Sequence, residues 1–183
     1  MAAIASLHKA GFRVIMDVVY NHTYSLDSPL FKTAPWYYYR QNPDGTPSNG
    51  SGCGNDVASE RSMCRKYILE SALYWIEEYH MDGFRFDLVG LLDVDTINDI
   101  VATVHQTHPN VIFYGEGWTM STSVTKDGYT MTTQANSDKT PGFAYFSDTI
   151  RDAIRGPMGT DTKGGYLDNQ GGYAPLIKYG FMG

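Results

Sequence analysis

Three apolar runs of strand length, FRVIMDVV (12–19), DGFRFDLV (82–89) and VIFYGE (111–116), alternate with segments whose apolar residues recur every three or four positions. Runs apolar nearly throughout suit parallel strands covered on both faces. Between the first two, Tyr67, Ile68, Ser71, Ala72, Trp75, Ile76 and Tyr79 predict a helix over 59–80, capped by Ser59 or Asp56. Between the second and third, Ile97, Ile100, Val101 and Val104 predict a helix over 95–107 behind an Asp95 cap. GFAYFSD (142–148) reads as a fourth strand, and Ile150, Ala153 and Ile154 as a last short helix. The opening MAAIASLHKAG reads as the final turns of a helix stopped at Gly11. The glycine-rich stretch 156–183 reads as loop. Strand–helix alternation of this kind implies an α/β fold with a parallel sheet.

The segment 21–58 has no periodicity, is rich in Asn, Pro, Gly, Ser and Tyr, and carries turn signals at Pro43-Asp44-Gly45 and Asn49-Gly50. It is too long for a plain connection and reads as a functional excursion over one face. The polar residues that invite chemistry all fall at strand C-terminal ends, where barrels and doubly wound sheets alike build their sites. No GxGxxG follows a strand and no GxxxxGK[ST] occurs, so a nucleotide-binding sheet is disfavoured. Four strands are half of an eight-stranded barrel, and the expectation is a partial (β/α)8 (TIM) barrel spanning 1–183.

At 183 residues and 42% hydrophobic content the chain can bury one substantial core. A net charge of −6 without any Lys/Arg cluster argues against nucleic acid or an anionic membrane as partner. No apolar run approaches the roughly 20 residues of a membrane span. Cys53 and Cys64 are expected as free thiols in a reducing compartment, with a disulfide the alternative. Neither CxxC nor HExxH spacing suggests zinc. Fourteen tyrosines offer flat amphipathic rings for sugar faces, or ordinary packing.

Asp87 and Glu116 end the second and third strands. Parallel strands joined by a helix usually lie side by side, about 4.8 Å apart, which places carboxylates at equivalent ends roughly 5 Å from each other. A retaining glycosidase needs about 5–5.5 Å between nucleophile and general acid. Arg85 shares a strand face with Asp87, and a neighbouring guanidinium suits an ionised nucleophile. Glu116 stands between glycines beside Trp118; an acid needs apolar surroundings or a nearby like charge to hold its proton, which Trp118 and Asp87 would supply. DVVYNHT (17–23) adds Asn21 and His22 as substrate contacts and Asp17 as a buried organiser of the strand end. Asp148, a tempting third acid, reads better as a helix N-cap.

DVVYNH, GFRFDLVG and YGEGW, in this order and spacing, resemble three signature regions of the alpha-amylase superfamily, glycoside hydrolase family 13. The longer stretches GCGNDVASERSMCRKYILESALYWIEEYHMDGFRFDLVG, LLDVDTINDI and QANSDKTPGFAYFSDTIRDAIRG resemble its debranching members, the type I pullulanases. The resemblance implies barrel strands three to six, with Asp87 as nucleophile and Glu116 as acid/base. Arg85 and His22 would bind the sugar at the cleavage site, and Trp118 would stack near the acceptor. It implies an α-glucan substrate, the remainder of a parent chain as partner, and no required cofactor; calcium, a family analogy, has no DxDxDG-like loop here. The family's fourth region with its His-Asp pair has no counterpart in these residues. An isoamylase or glycogen-debranching type enzyme, or an inactive carbohydrate-binding fragment, shares the same regions. Either a cytoplasmic or a secreted location is compatible with the resemblance.

Overall fold

Four short parallel strands, β1 (Ile15–Val18), β2 (Gly83–Phe86), β3 (Ile112–Gly115) and β4 (Phe143–Tyr145), form one sheet in the order β1-β2-β3-β4. They belong to a computed structural model that describes residues 2–159 and 164–182. The chain divides into two compact units, Met1–Tyr145 and Phe146–Gly183.

In the first unit the strand order never reverses, so the sheet is wound in one direction. Its register aligns Asp17 with Arg85 and Tyr114, and Val18 with Phe86 and Gly115. Alternation then gives the two faces different chemistry. Phe84, Phe86, Phe113 and Phe143 fill one face; Phe84 and Phe113 stack at 5.8 Å, and Phe86 meets Phe143 edge-on at 5.7 Å. Burying each such ring contributes about 1.5–3 kcal/mol. Asp17, Arg85 and Tyr114 lie on the opposite face. The expected burial on both faces is therefore not found: Ile112 on the second face is 40% exposed.

Helices α1 (Ala2–Lys9), α2 (Pro29–Thr33), α3 (Ser62–Tyr79) and α4 (Val94–Thr107) complete this unit. Cys64, Ile68, Ala72 and Ile76 of α3 and Ile97, Ile100, Val101 and Val104 of α4 join the phenylalanines in one core. Helix α3 ends at His80, which takes the left-handed conformation (φ 58) of a C-cap. Its expected caps are corrected. Arg61 occupies the N-cap without a side-chain bond, because Ser59 and Asp56 are buried and bonded elsewhere. The cap of α4 is Asp93, not Asp95: Asp93 accepts from the Thr96 N–H at 2.9 Å, and the buried Val94 starts the helix. The excursion 21–58 has little regular structure beyond α2 and two isolated antiparallel bridges, Tyr39–Val57 and Gln41–Pro47.

The second unit holds α5 (Asp148–Arg155), two 3-10 turns and α6 (Ala174–Met182). Ser147, not Asp148, caps α5 by accepting from the Ile150 N–H at 3.2 Å. The stretch expected to be loop is helical from 174 on; residues 160–163 and 183 of it lie outside the described residues. No described helix is long and apolar enough to cross a membrane. Cys53 and Cys64 are both free thiols.

Candidate active site

Strand β2 stops one residue short of Asp87, whose N–H still donates to Val18 O at 3.0 Å. Strand β3 likewise stops before Glu116, whose N–H donates to Phe86 O at 3.0 Å. These bonds fix the two carboxylates at adjacent strand ends, one step beyond the aligned pair Phe86 and Gly115. Sequence spacing anticipates this placement, and the backbone ladder produces it.

One guanidinium joins the acidic groups. Arg85 donates from Nη1 to Asp87 Oδ1 (3.1 Å) and Asp17 Oδ1 (2.8 Å), and its Nη2 pairs with Glu116 Oε1 at 2.6 Å. Burial alone would lower the Arg85 pKa, but the bonds to Asp17 and Asp87 and the charges of Glu116 and Asp17 outweigh it and leave the pKa raised. Two expectations are corrected here. Asp17 is not buried: its side chain is 65% exposed, and it acts by holding Arg85 from the open end. Glu116 contacts charged and polar groups, since its second oxygen accepts from the Leu88 N–H at 3.3 Å.

Asn21 is fully buried. Its amide donates to the Asp87 backbone carbonyl (2.6 Å) and to Asp87 Oδ2 (3.3 Å), while its Oδ1 faces His22 Nδ1. With that oxygen as acceptor, His22 Nδ1 is the donor, and Nε2 is the ring's other polar atom. The structure thus brings Asp17, Asn21, His22, Arg85, Asp87 and Glu116 into one hydrogen-bonded chain. Trp118 follows on the same loop, half-buried, with its backbone carbonyl against Gly90.

Glycines make the Glu116 loop fit. A Cβ on Gly117 would stand 2.4 Å from the Tyr145 ring, and one on Gly90 would stand 1.9 Å from Trp118 O. Both positions require close backbone approach. Sequence reasoning missed four further contributors. Leu88 takes a left-handed conformation (φ 38) directly after Asp87 and aims its N–H at Glu116; strain of about 1–3 kcal/mol attends such a residue, and no sequence signal announces it. Tyr114 shares the register row of Arg85. Arg40 and Asp56, deep in the excursion, are almost wholly buried; an arginine set in the aromatic run WYYYR is a signal that could have found the first. Among the described residues no group of three or more His, Cys, Asp or Glu is arranged to hold a metal ion.

No family model matches the chain. It is 41% identical over 181 residues to the pullulanase of Bacillus subtilis (strain 168), a match taking in 98% of this chain and 25% of that protein. The crystal structure of type I pullulanase from Bacillus subtilis str. 168 complexed with maltose superposes with a TM-score of 0.92 at 42% identity, covering 97% of this chain and 25% of that one. That of the pullulanase from Paenibacillus barengoltzii, in complex with maltohexaose and alpha-cyclodextrin, gives 0.91 at 43% identity, covering 96% and 27%. The chain spans a quarter or less of the length of the curated relatives it matches; these include pullulanases and, over about half of the chain, isoamylase 3 of Oryza sativa subsp. japonica, and its structural neighbours include pullulanases.

Proposed function

We propose that this chain forms part of the catalytic (β/α)8 barrel of a retaining glycoside hydrolase of the type I pullulanase kind. Its reaction would be hydrolysis of α-1,6 branch linkages in pullulan, amylopectin and limit dextrins. The observation that carries the reading is the pairing of Asp87 and Glu116 at neighbouring strand ends through one arginine. The unreversed strand order supports a barrel, and the similarity to pullulanases supports the substrate class.

In this reading Asp87 attacks the anomeric carbon while Glu116 protonates the departing oxygen. Glu116 then takes a proton from the water that releases the glycosyl-enzyme, restoring the starting configuration. Asn21 holds Asp87 at its backbone and carboxylate, so the nucleophile meets the sugar from a fixed position. Arg85 and His22 contact the sugar at the cleavage point, and Trp118 offers a ring to the acceptor side. The acid step requires Glu116 to leave Arg85 Nη2, so substrate entry must compete with that ion pair.

The test is a chimaera in which this chain replaces the matching segment of the Bacillus subtilis pullulanase. It is expected to hydrolyse pullulan with retention, read by the anomer released. Asp87→Asn should cost about 10⁴-fold or more in kcat, the scale of losing a nucleophile. Retained turnover in that variant would remove Asp87 from the role.

A further inference from the structure

One buried side chain of the excursion 21–58, Arg40, reaches two of the loops that build the site. Arg40 is 1% exposed, and all five of its N–H donors meet acceptors. Nε and Nη2 donate to Glu60 Oε2 (3.0 and 2.8 Å), and Nη2 also to Ser59 Oγ (3.2 Å). Nη1 donates to Leu91 O (2.7 Å) and Thr122 Oγ1 (3.3 Å). Leu91 belongs to the turn that follows Asp87, and Thr122 to the loop that follows Glu116 and Trp118.

From the same short stretch, contacts run back to the loop after β1. Tyr39 Oη bonds Thr23 Oγ1 at 2.7 Å, one residue from His22. The Arg40 N–H donates to Asp56 O (3.0 Å), and the next N–H, on Val57, donates to Asn21 O (2.8 Å). Thr122 Oγ1 also donates to Asp56 Oδ2 (3.1 Å). The Arg40 guanidinium therefore ties the loop after Asp87 to the loop after Glu116 and Trp118, while the Arg40 backbone, through Asp56 and Val57, and the Tyr39 hydroxyl reach the loop of Asn21 and His22.

We propose that Arg40 is a positioning residue: it sets the relative placement of these loops, and the alignment of Asp87 with Glu116 depends on it. The proposal rests on the function proposed above. A lysine in its place supplies three donors from one point and cannot reach Glu60, Leu91 and Thr122 together.

The experiment uses the pullulanase chimaera. Arg40→Lys is expected to lower kcat on pullulan by about ten- to a hundredfold, measured well below its Tm, with KM changed far less. Asp82→Asn is the control, since Asp82 binds the Val14 N–H and the His8 ring at the strand starts, away from the site loops; it should lower Tm and leave kcat as it was. If Arg40→Lys fails to fold, Thr122→Val removes the acceptor that Arg40 uses on the loop after β3, together with the donor to Asp56, and should lower kcat in the same sense. A variant whose kcat stays within about twofold while Tm falls would make Arg40 a plain stabiliser and overturn the proposal. If the unsubstituted chimaera is inactive, the functional reading fails instead. Crystal structures of the chimaera and Arg40→Lys then decide the positioning claim: unchanged Asn21–Asp87 and Leu88–Glu116 contacts overturn it, and separated ones support it.

Discussion

Arg85 binds Glu116 more closely than it binds its own strand neighbour Asp87, 2.6 Å against 3.1 Å. The reason is the register. Arg85 lies beside Tyr114, two residues before Glu116, so its side chain climbs the sheet face and reaches across to the next strand end. Asp17 steadies the same guanidinium from β1. A cation shared by three acidic groups compensates charge that would otherwise repel at one end of the sheet.

Replacing that fork tests its function. Arg85→Lys in the chimaera keeps a positive charge but cannot serve Asp17, Asp87 and Glu116 at once. The expected result is a fall in kcat/KM on pullulan of about 10²-fold, the scale of misplacing a reacting group by an ångström. Activity equal to the parent would show that the shared guanidinium has no part in the site.

Gly90→Ala is expected to displace the Trp118 loop, because the added methyl would lie 1.9 Å from Trp118 O. Overpacking of this kind costs about 1–3 kcal/mol, which lowers Tm by several degrees. Differential scanning calorimetry measures the first effect and pullulan turnover the second. A thermally neutral Gly90→Ala variant would contradict the tight approach.

The two thiols should separate by reactivity. Burial, followed by the charge of Glu60, pushes the Cys64 pKa up to about 12, whereas Cys53 is half-buried beside Ser51. A folded-state pKa above the ordinary thiol value of about 8.5 means that Cys64 keeps its proton while an unfolded chain loses it. Its stabilising contribution is therefore complete at neutral pH and declines as pH rises above about 8.5. Titration with a thiol reagent at neutral pH is expected to label Cys53 quickly and Cys64 only at the rate of unfolding. Two equally fast thiols would refute the burial argument.

What the sequence makes legible is what hydrophobic period controls. Strands and helices β1, β2, β3, α3 and α4 follow from the runs around Phe84, Ile68 and Ile97, and the carboxylates at strand ends follow from connectivity. Capping was misread because Asp56, Ser59 and Asp93 serve a buried polar network whose partners are distant in sequence: Ser59 donates to Asp93 Oδ2 at 2.6 Å, and Thr96 Oγ1 returns to Ser59 O at 2.9 Å. Helix α6 was hidden by the glycines that precede and interrupt it. The reach of Arg85 to Glu116 and the left-handed Leu88 depend on register and local backbone, which no period in the sequence encodes.

Acid stability gives a further test through Asp82. Burial would raise its pKa, but the Val14 N–H (2.6 Å), the His8 ring (2.8 Å) and the charges of His8 and Arg13 leave it lowered. A depressed folded-state pKa means that the unfolded chain takes up the proton first. The stabilisation is thus fully present above the ordinary aspartate value of about 3.9 and is lost as pH falls through the lowered one. The Tm difference between the parent chimaera and Asp82→Asn is expected to shrink steadily as pH falls below about 5. A difference that widens in acid would reverse the sign and defeat the assignment.

The 183-residue chain by itself is expected to be inactive on pullulan and to self-associate. Strands β1 and β4 are the edges of the sheet, and unpaired parallel edges template further strands. The face that carries Asp17, Arg85 and Tyr114 leaves Ile112 at 40% exposure, so apolar surface accompanies the open ladder. A barrel escapes this hazard only by closing. Size-exclusion chromatography with light scattering, run beside a reducing-sugar assay, measures both halves of the prediction. A monodisperse monomer that melts cooperatively and turns over pullulan would mean that these four strands suffice for fold and chemistry, and the barrel reading would have to be abandoned.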